Sequence, residues 1–166
     1  MKKYKANVFG FAKYLLSDAD EAEDAAQEVM IKLWNNFSTI NPAAYKSWIM
    51  KTTYNLCIDY RRKRKIIKLK DFNEDGDIDL FADIEADSPL EIKENNDLRD
   101  VISSRIDKLP ETQRSVFVLY EIEGMKYKEI AKILEVPLNS VKVNLLRARK
   151  KLQILLKDVY EGRQAV

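Results

Sequence analysis

Seven of the ten residues from Arg61 to Lys70 are cationic: Arg61, Arg62, Lys63, Arg64, Lys65, Lys68 and Lys70. Charges this dense repel one another unless a polyanion lies against them, and counterion release makes nucleic acid a favourable partner. A solvated or membrane-surface basic tail is the competing reading. Just upstream, at helical spacing, Tyr45, Trp48, Ile49, Thr52, Leu56 and Tyr60 share one side, and Lys51, Asn55, Asp59 and Arg62 share another. Ile49, Leu56 and part of Trp48 are expected in a core. The aromatic and amide groups beside the basic run suit stacking on, and hydrogen bonding to, unpaired bases.

A second constellation lies near the C-terminus. Tyr127, Ile130, Ala131 and Leu134 predict a short helix, Val136-Pro137-Leu138 a tight turn, and Val141, Leu145, Ala148 and Leu152 the buried face of a last helix capped by Asn139 or Ser140. This is a helix-turn-helix pattern: Ala131 permits close crossing and Val136 plugs the turn. Its second helix presents Ser140, Lys142, Val143, Asn144, Leu146 and Arg147, followed by Arg149, Lys150 and Lys151. In a major groove, Asn can pair with adenine, Arg with guanine, and Lys with phosphate. An ordinary helical hairpin with a basic exposed face is the plainer alternative.

These groups need elements to hold them. The chain has 166 residues, 46% hydrophobic and 34% charged, with 4 Gly and 4 Pro. That is too apolar for disorder and too poor in turn formers for an all-β fold, so the expected class is all-α. Tyr4, Val8, Phe11, Ala12 and Leu15 predict a first helix. Ser17 or Asp18 then caps a second, with Asp20 and Glu21 as capping-box partners and a stripe of Ala22, Ala26, Val29, Met30, Leu33 and Phe37. Asn41-Pro42 breaks the chain before a third helix from about Ala43. Leu109-Pro110 starts a later helix and Gly124 ends it. Beyond Leu152 the last helix is expected to fray.

Charge divides the chain further. Residues 1–70 carry 14 basic against 7 acidic side chains, 71–107 carry 3 against 13, and 108–166 carry 12 against 7. The acidic middle lacks helical periodicity and is read as a linker at 71–92, between small domains at 1–70 and 93–166. The linker is expected to discourage indiscriminate DNA binding. Its Asn73-Glu74-Asp75-Gly76-Asp77-Ile78-Asp79 stretch lacks the terminal Glu of a calcium loop. With no His and one Cys, zinc sites, His-based catalysis and a disulfide framework are excluded. No cofactor or metal is expected, and no enzyme, since carboxylates converge nowhere outside the linker. Cys57 is read as a small apolar filler. No stretch approaches the roughly 18 apolar residues of a membrane span, so the protein is expected to be cytoplasmic, not membrane-inserted.

The stretches 20–34 (DEAEDAAQEVMIKLW), 45–65 (YKSWIMKTTYNLCIDYRRKRK) and 109–152, in this order, resemble the sigma factors of bacterial RNA polymerase. The resemblance is to the small extracytoplasmic-function class that keeps only the second and fourth conserved regions. It implies that Asp24, Gln27 and Glu28, a D-x-x-Q-E pattern, dock on the β′ clamp helices of core polymerase, with Met30, Ile31 and Trp34 as apolar neighbours. It implies further that Trp48, Lys51, Asn55, Asp59, Arg61 and Arg62 lie against the melted −10 strand, while the Ser38–Ala43 loop takes a flipped base. Ser140, Lys142, Val143, Asn144, Leu146 and Arg147 would read the −35 duplex, with the β flap as a second polymerase contact. An anti-sigma factor is the implied regulator, and the free protein is expected to be a monomer.

Two positions depart from the family pattern. Val143-Asn144 stands where relatives commonly carry Ser-Arg or Arg, so an unusual −35 sequence is expected. Glu135 stands where Gly is frequent, and a positive φ there would cost about 1 kcal/mol. The alternative function is a two-domain helix-turn-helix regulator that binds duplex operator DNA without core polymerase.

Overall fold

The computed structural model describes residues 2–72 and 98–164, and every regular element among them is helical. The candidate calcium loop and all but the first two residues of the expected linker lie outside the described residues.

Helices α1 (Lys2–Leu16) and α2 (Ala19–Asn36) form a hairpin. Val8, Phe11, Ala12 and Leu15 on one, and Ala22, Ala25, Ala26, Val29 and Leu33 on the other, are fully buried. The three alanines let the helix axes approach closely. Ser17 turns the chain at φ 54°, and Asp18, in extended backbone, caps α2 by accepting from the Glu21 amide at 2.9 Å. Phe37, expected in the buried stripe, instead follows the end of α2 and is about half exposed, stacked on Tyr45 at 5.2 Å between ring centroids. The helix ends at Asn36, one residue before that ring, so Phe37 does not continue the buried stripe.

A 3-10 turn (Pro42–Ala44), capped by Asn41 accepting from the Ala43 amide at 3.0 Å, leads into α3 (Tyr45–Phe72). Its buried stripe is Ile49, Met50, Thr53, Leu56 and Cys57. This is rotated from the predicted Tyr45–Trp48–Thr52–Tyr60 side, whose rings lie only partly buried at its edge. The Thr53 hydroxyl is satisfied by donating to the Ile49 carbonyl at 2.8 Å. Cys57 is an interior filler, and burial pushes its thiol up to about 12.

The C-terminal half contains α4 (Leu98–Asp107), α5 (Glu111–Phe117) running into a π turn (Val118–Ile122), α6 (Tyr127–Leu134) and α7 (Leu138–Gln164). Ile106, Leu109, Val116, Leu119, Ile130, Ile133, Val141, Leu145, Ala148 and Leu152 are among its buried residues, as the periodicity predicts for the last helix. One expectation fails here. The last helix begins at Leu138, so Asn139 and Ser140 lie inside its first turn and the Ser140 amide bonds to the Pro137 carbonyl at 2.9 Å. Beyond Leu152, where fraying was expected, helical backbone continues to Gln164.

The halves touch. Arg114 donates to the carbonyls of Tyr14 (3.0 Å), Leu109 (2.9 Å) and Asp107, stitching the end of α1 to the α4–α5 turn. Asn7 donates to Glu123 at 2.7 Å.

Glu135 ends α6 in the left-handed region at φ 56°, ψ 43°, where a Cβ is strained and Gly is favoured. Glu135→Gly should therefore stabilise the protein by about 0.5–1 kcal/mol in denaturant unfolding, with Glu135→Gln, which keeps the strain, close to wild type. For Cys57, alkylation at pH 8 should proceed at least about tenfold faster in denaturant than in the native protein, since a buried neutral thiol is unreactive.

Candidate nucleic-acid interface

α3 is long enough to show three faces along its length. Opposite the buried stripe, Trp48, Thr52, Asn55, Asp59 and Arg62 follow one another at spacings of three and four, open or half-open to solvent. Asp59 and Arg62 form an exposed pair at 3.7 Å. The remaining face, Ser47, Lys51, Tyr54 and Arg61, meets the C-terminal half. Lys51 pairs with Glu135 at 3.1 Å, Arg61 with Glu111 at 2.6 Å, and the Ser47 hydroxyl donates to Glu129 at 3.2 Å. Lys46, one residue before this stripe, pairs with Glu123 at 3.7 Å and donates to its carbonyl. Burial, then the nearby Glu111, raises the Tyr54 phenol, and Glu135 adds to the shift.

The six residues predicted to face unpaired bases are thus divided. Trp48, Asn55, Asp59 and Arg62 share an accessible stripe, whereas Lys51 and Arg61 are held by carboxylates. No pattern in the sequence singles out Glu111, Glu123, Glu129 or Glu135 as partners of the basic helix, because the pairing spans 50 to 84 residues by subtraction of their numbers. The Lys51 and Arg61 pairs are partly exposed, so each contributes no more than about 1 kcal/mol, whereas Glu123 is buried. A polyanion that meets the same cations can displace them.

Phe37 and Tyr45 form a further feature that the sequence pattern misassigned. Their stacked rings flank the Ser38–Ala43 loop, and the Tyr45 hydroxyl donates to the Phe37 carbonyl at 2.9 Å, fixing the pair.

On α2, the face opposite the buried alanines carries Asp24, Gln27, Glu28, Ile31 and Trp34 together. Ile31 is 61% and Trp34 72% exposed, an unusual cost for two large apolar side chains in water. Met30 does not join them; it is half-buried against the core. Glu28 pairs with Lys32 at 2.9 Å, which relieves the like-charge repulsion with Asp24. Between α2 and α3 runs a cleft of about 410 Å³, lined by Glu28, Lys32, Leu56, Asp59, Tyr60 and Arg62 among others. Burial raises the Tyr60 phenol there, and the carboxylates of Glu28, Asp24 and Glu21 raise it further.

In the helix-turn-helix, Glu129 accepts from the Lys126 amide at 2.9 Å, holding the start of α6. The Val136 amide bonds to the Ala131 carbonyl at 3.1 Å, closing the turn. α7 then presents Lys142, Val143, Leu146 and Arg147 to solvent, with Ser140 half-buried. Asn144 is turned aside: its amide nitrogen donates to the Ser140 carbonyl at 2.8 Å. Arg149 is engaged by Glu121 at 2.7 Å and lies over the Tyr120 ring. Asn139, expected as a cap, is exposed on the same side as Val143. Among the described residues no helix is long and apolar enough to cross a membrane.

Comparison with known proteins gives the family of both halves. The family described as Sigma-70 region 2 matches residues 1–66, and Sigma-70, region 4, matches residues 99–152. The chain is similar to ECF RNA polymerase sigma factor SigW of Bacillus subtilis, 30% identical over 94% of this chain and 86% of that one. It is also similar to ECF RNA polymerase sigma factor SigE of Mycolicibacterium smegmatis, 29% identical, where it spans 58% of the longer relative. Among solved structures, the sigma factor RpoE in complex with the anti-sigma factor NepR from Bartonella quintana superposes with a TM-score of 0.72 at 26% identity, covering 93% of this chain and 92% of that one. CnrH, solved with the cytosolic domain of CnrY, shares the fold at a TM-score of 0.62 and 20% identity.

Because Glu111 and Glu135 occupy cations of α3, replacing both by Gln should raise the affinity of the free protein for a single-stranded oligonucleotide by about three- to tenfold at low salt. Fluorescence anisotropy measures this, and the gain should shrink as salt rises.

Proposed function

The chain belongs to the sigma-70 family, in its extracytoplasmic-function class, and on that premise we propose that it is a dissociable promoter-specificity subunit. It binds core RNA polymerase, directs it to promoters through the −10 and −35 elements, and captures unpaired bases as the DNA melts. It assigns its own side chains no covalent chemistry. Its place of action is the cytoplasm, where polymerase and chromosome are, and the free chain is a monomer.

The observation that carries this reading is the α2 face. Ile31 and Trp34, exposed and bordered by Asp24, Gln27 and Glu28, make an apolar patch with an acidic rim. Such a patch fits a protein surface with exposed cations, the β′ clamp helices, and has no use in a regulator that meets only DNA. The β flap is the counterpart for the C-terminal half.

The −10 role falls first on Trp48, Asn55, Asp59 and Arg62, with Phe37 and Tyr45 beside the loop for a flipped base. Taking a base from its stack costs a few kcal/mol, which aromatic surfaces recover by stacking. Lys51 and Arg61 join only after leaving Glu135 and Glu111, so productive binding requires the two halves to separate. RpoE was solved with an anti-sigma factor; a partner of that kind is the natural regulator here, since it can hold the halves together and cover the α2 face. The −35 role falls on the open face of α7.

With purified core polymerase and a random promoter pool, the chain should support initiation from a two-element promoter. Asp24→Arg or Trp34→Ala should weaken core binding by about tenfold or more while leaving the helical content unchanged. DNA binding that never leads to initiation would instead favour the duplex-operator regulator.

A further inference from the structure

We infer that the −35 specificity of this chain is read through thymine methyl groups by Val143 and Leu146, and not through amide hydrogen bonds from Asn144. This rests on the placement of α7 in the major groove proposed above.

Val141, Leu145, Ala148 and Leu152 bury one side of α7. At 100° per residue, Val143 stands opposite that side, and Leu146 stands about 60° from Val143, on the same open face. They are 44% and 54% exposed, and so contribute little to the core. Their neighbours on the open face are cations: Lys142, Arg147 and Lys150 are all exposed. Arg149, by contrast, is held by Glu121 and Tyr120. The pattern is an apolar centre with a basic border, which matches base edges between two phosphate backbones.

The amide that would ordinarily read adenine is unavailable in this geometry. Asn144 is half-buried at the flank of the core, and one of its two amide hydrogens is donated to the Ser140 carbonyl at 2.8 Å, which turns the amide back along the helix and away from a bidentate pose on a base. Val143 and Leu146 have no hydrogen-bonding groups at all. The apolar feature that B-DNA displays in its major groove is the C5 methyl of thymine. Residues three apart on a helix place their Cβ atoms about 5–6 Å apart, enough to cover methyls on neighbouring base pairs. The element read should therefore contain closely spaced A·T pairs.

Removing the methyl alone gives the test. Holoenzyme assembled from core polymerase and the full chain is bound to a promoter recovered from the random pool, with each −35 thymine in turn replaced by deoxyuridine. At one or two positions the wild type should lose about three- to fivefold in affinity, the value of one buried methyl. Val143→Ala and Leu146→Ala should erase that difference at their own positions, whereas Lys142→Ala and Arg147→Ala should weaken thymine and deoxyuridine duplexes alike. Equal wild-type affinity for both duplexes, with scrambling of the −35 element still harmful, would overturn the methyl readout while keeping α7 in the groove. Indifference to scrambling would overturn the placement and the readout together.

Discussion

One helix carries the most competing demands in this molecule. α3 must bury Ile49, Met50, Thr53, Leu56 and Cys57 to complete the core with α1 and α2. That burial fixes its rotation, and the rotation decides which of its charged and aromatic side chains can reach anything else. With 100° between successive residues, a stripe of five buried positions leaves two other faces. The open one carries Trp48, Asn55, Asp59 and Arg62; the other meets the acidic side chains of the C-terminal half.

The consequence is an asymmetry between the two surfaces proposed to meet DNA. Carboxylates of Glu111 and Glu135 stand against Arg61 and Lys51, whereas the open face of α7 is exposed in the same arrangement. The two halves share one cluster of buried apolar residues, and around it lie polar contacts, of which the pairs of Lys51 and Arg61 are partly exposed and the bonds around Arg114 and Glu123 more buried. Exposed ion pairs of this kind are weak and salt-sensitive, so they can exchange partners. A polyanion and a regulatory protein can therefore compete for one equilibrium, each by its different affinity for the closed and open arrangements.

The helix-turn-helix shows a similar trade. Its turn needs a residue in the left-handed region, and Glu135 accepts that strain at φ 56°. The same side chain reaches Lys51. A Gly here would relieve the backbone but leave Lys51 without its partner, so local strain and contact between the halves are linked at one position.

Local periodicity determined the helical class, the three N-terminal helices, the helix-turn-helix and the exposed α2 face, because each depends on residues within a few turns of one another. The positive φ at Glu135 was anticipated through the family resemblance, in which Gly is frequent at that place, and not from periodicity. What tertiary structure alone decided is how the candidate site divides. The burial of Met50 and Cys57 set the rotation of α3, the end of α2 left Phe37 beside Tyr45, and α7 turned Asn144 back onto Ser140. The pairing of Lys46, Lys51 and Arg61 with Glu123, Glu135 and Glu111 joins residues far apart along the chain. Charge composition identifies cations and anions in each half, but only the packing of one half on the other determines which of them meet.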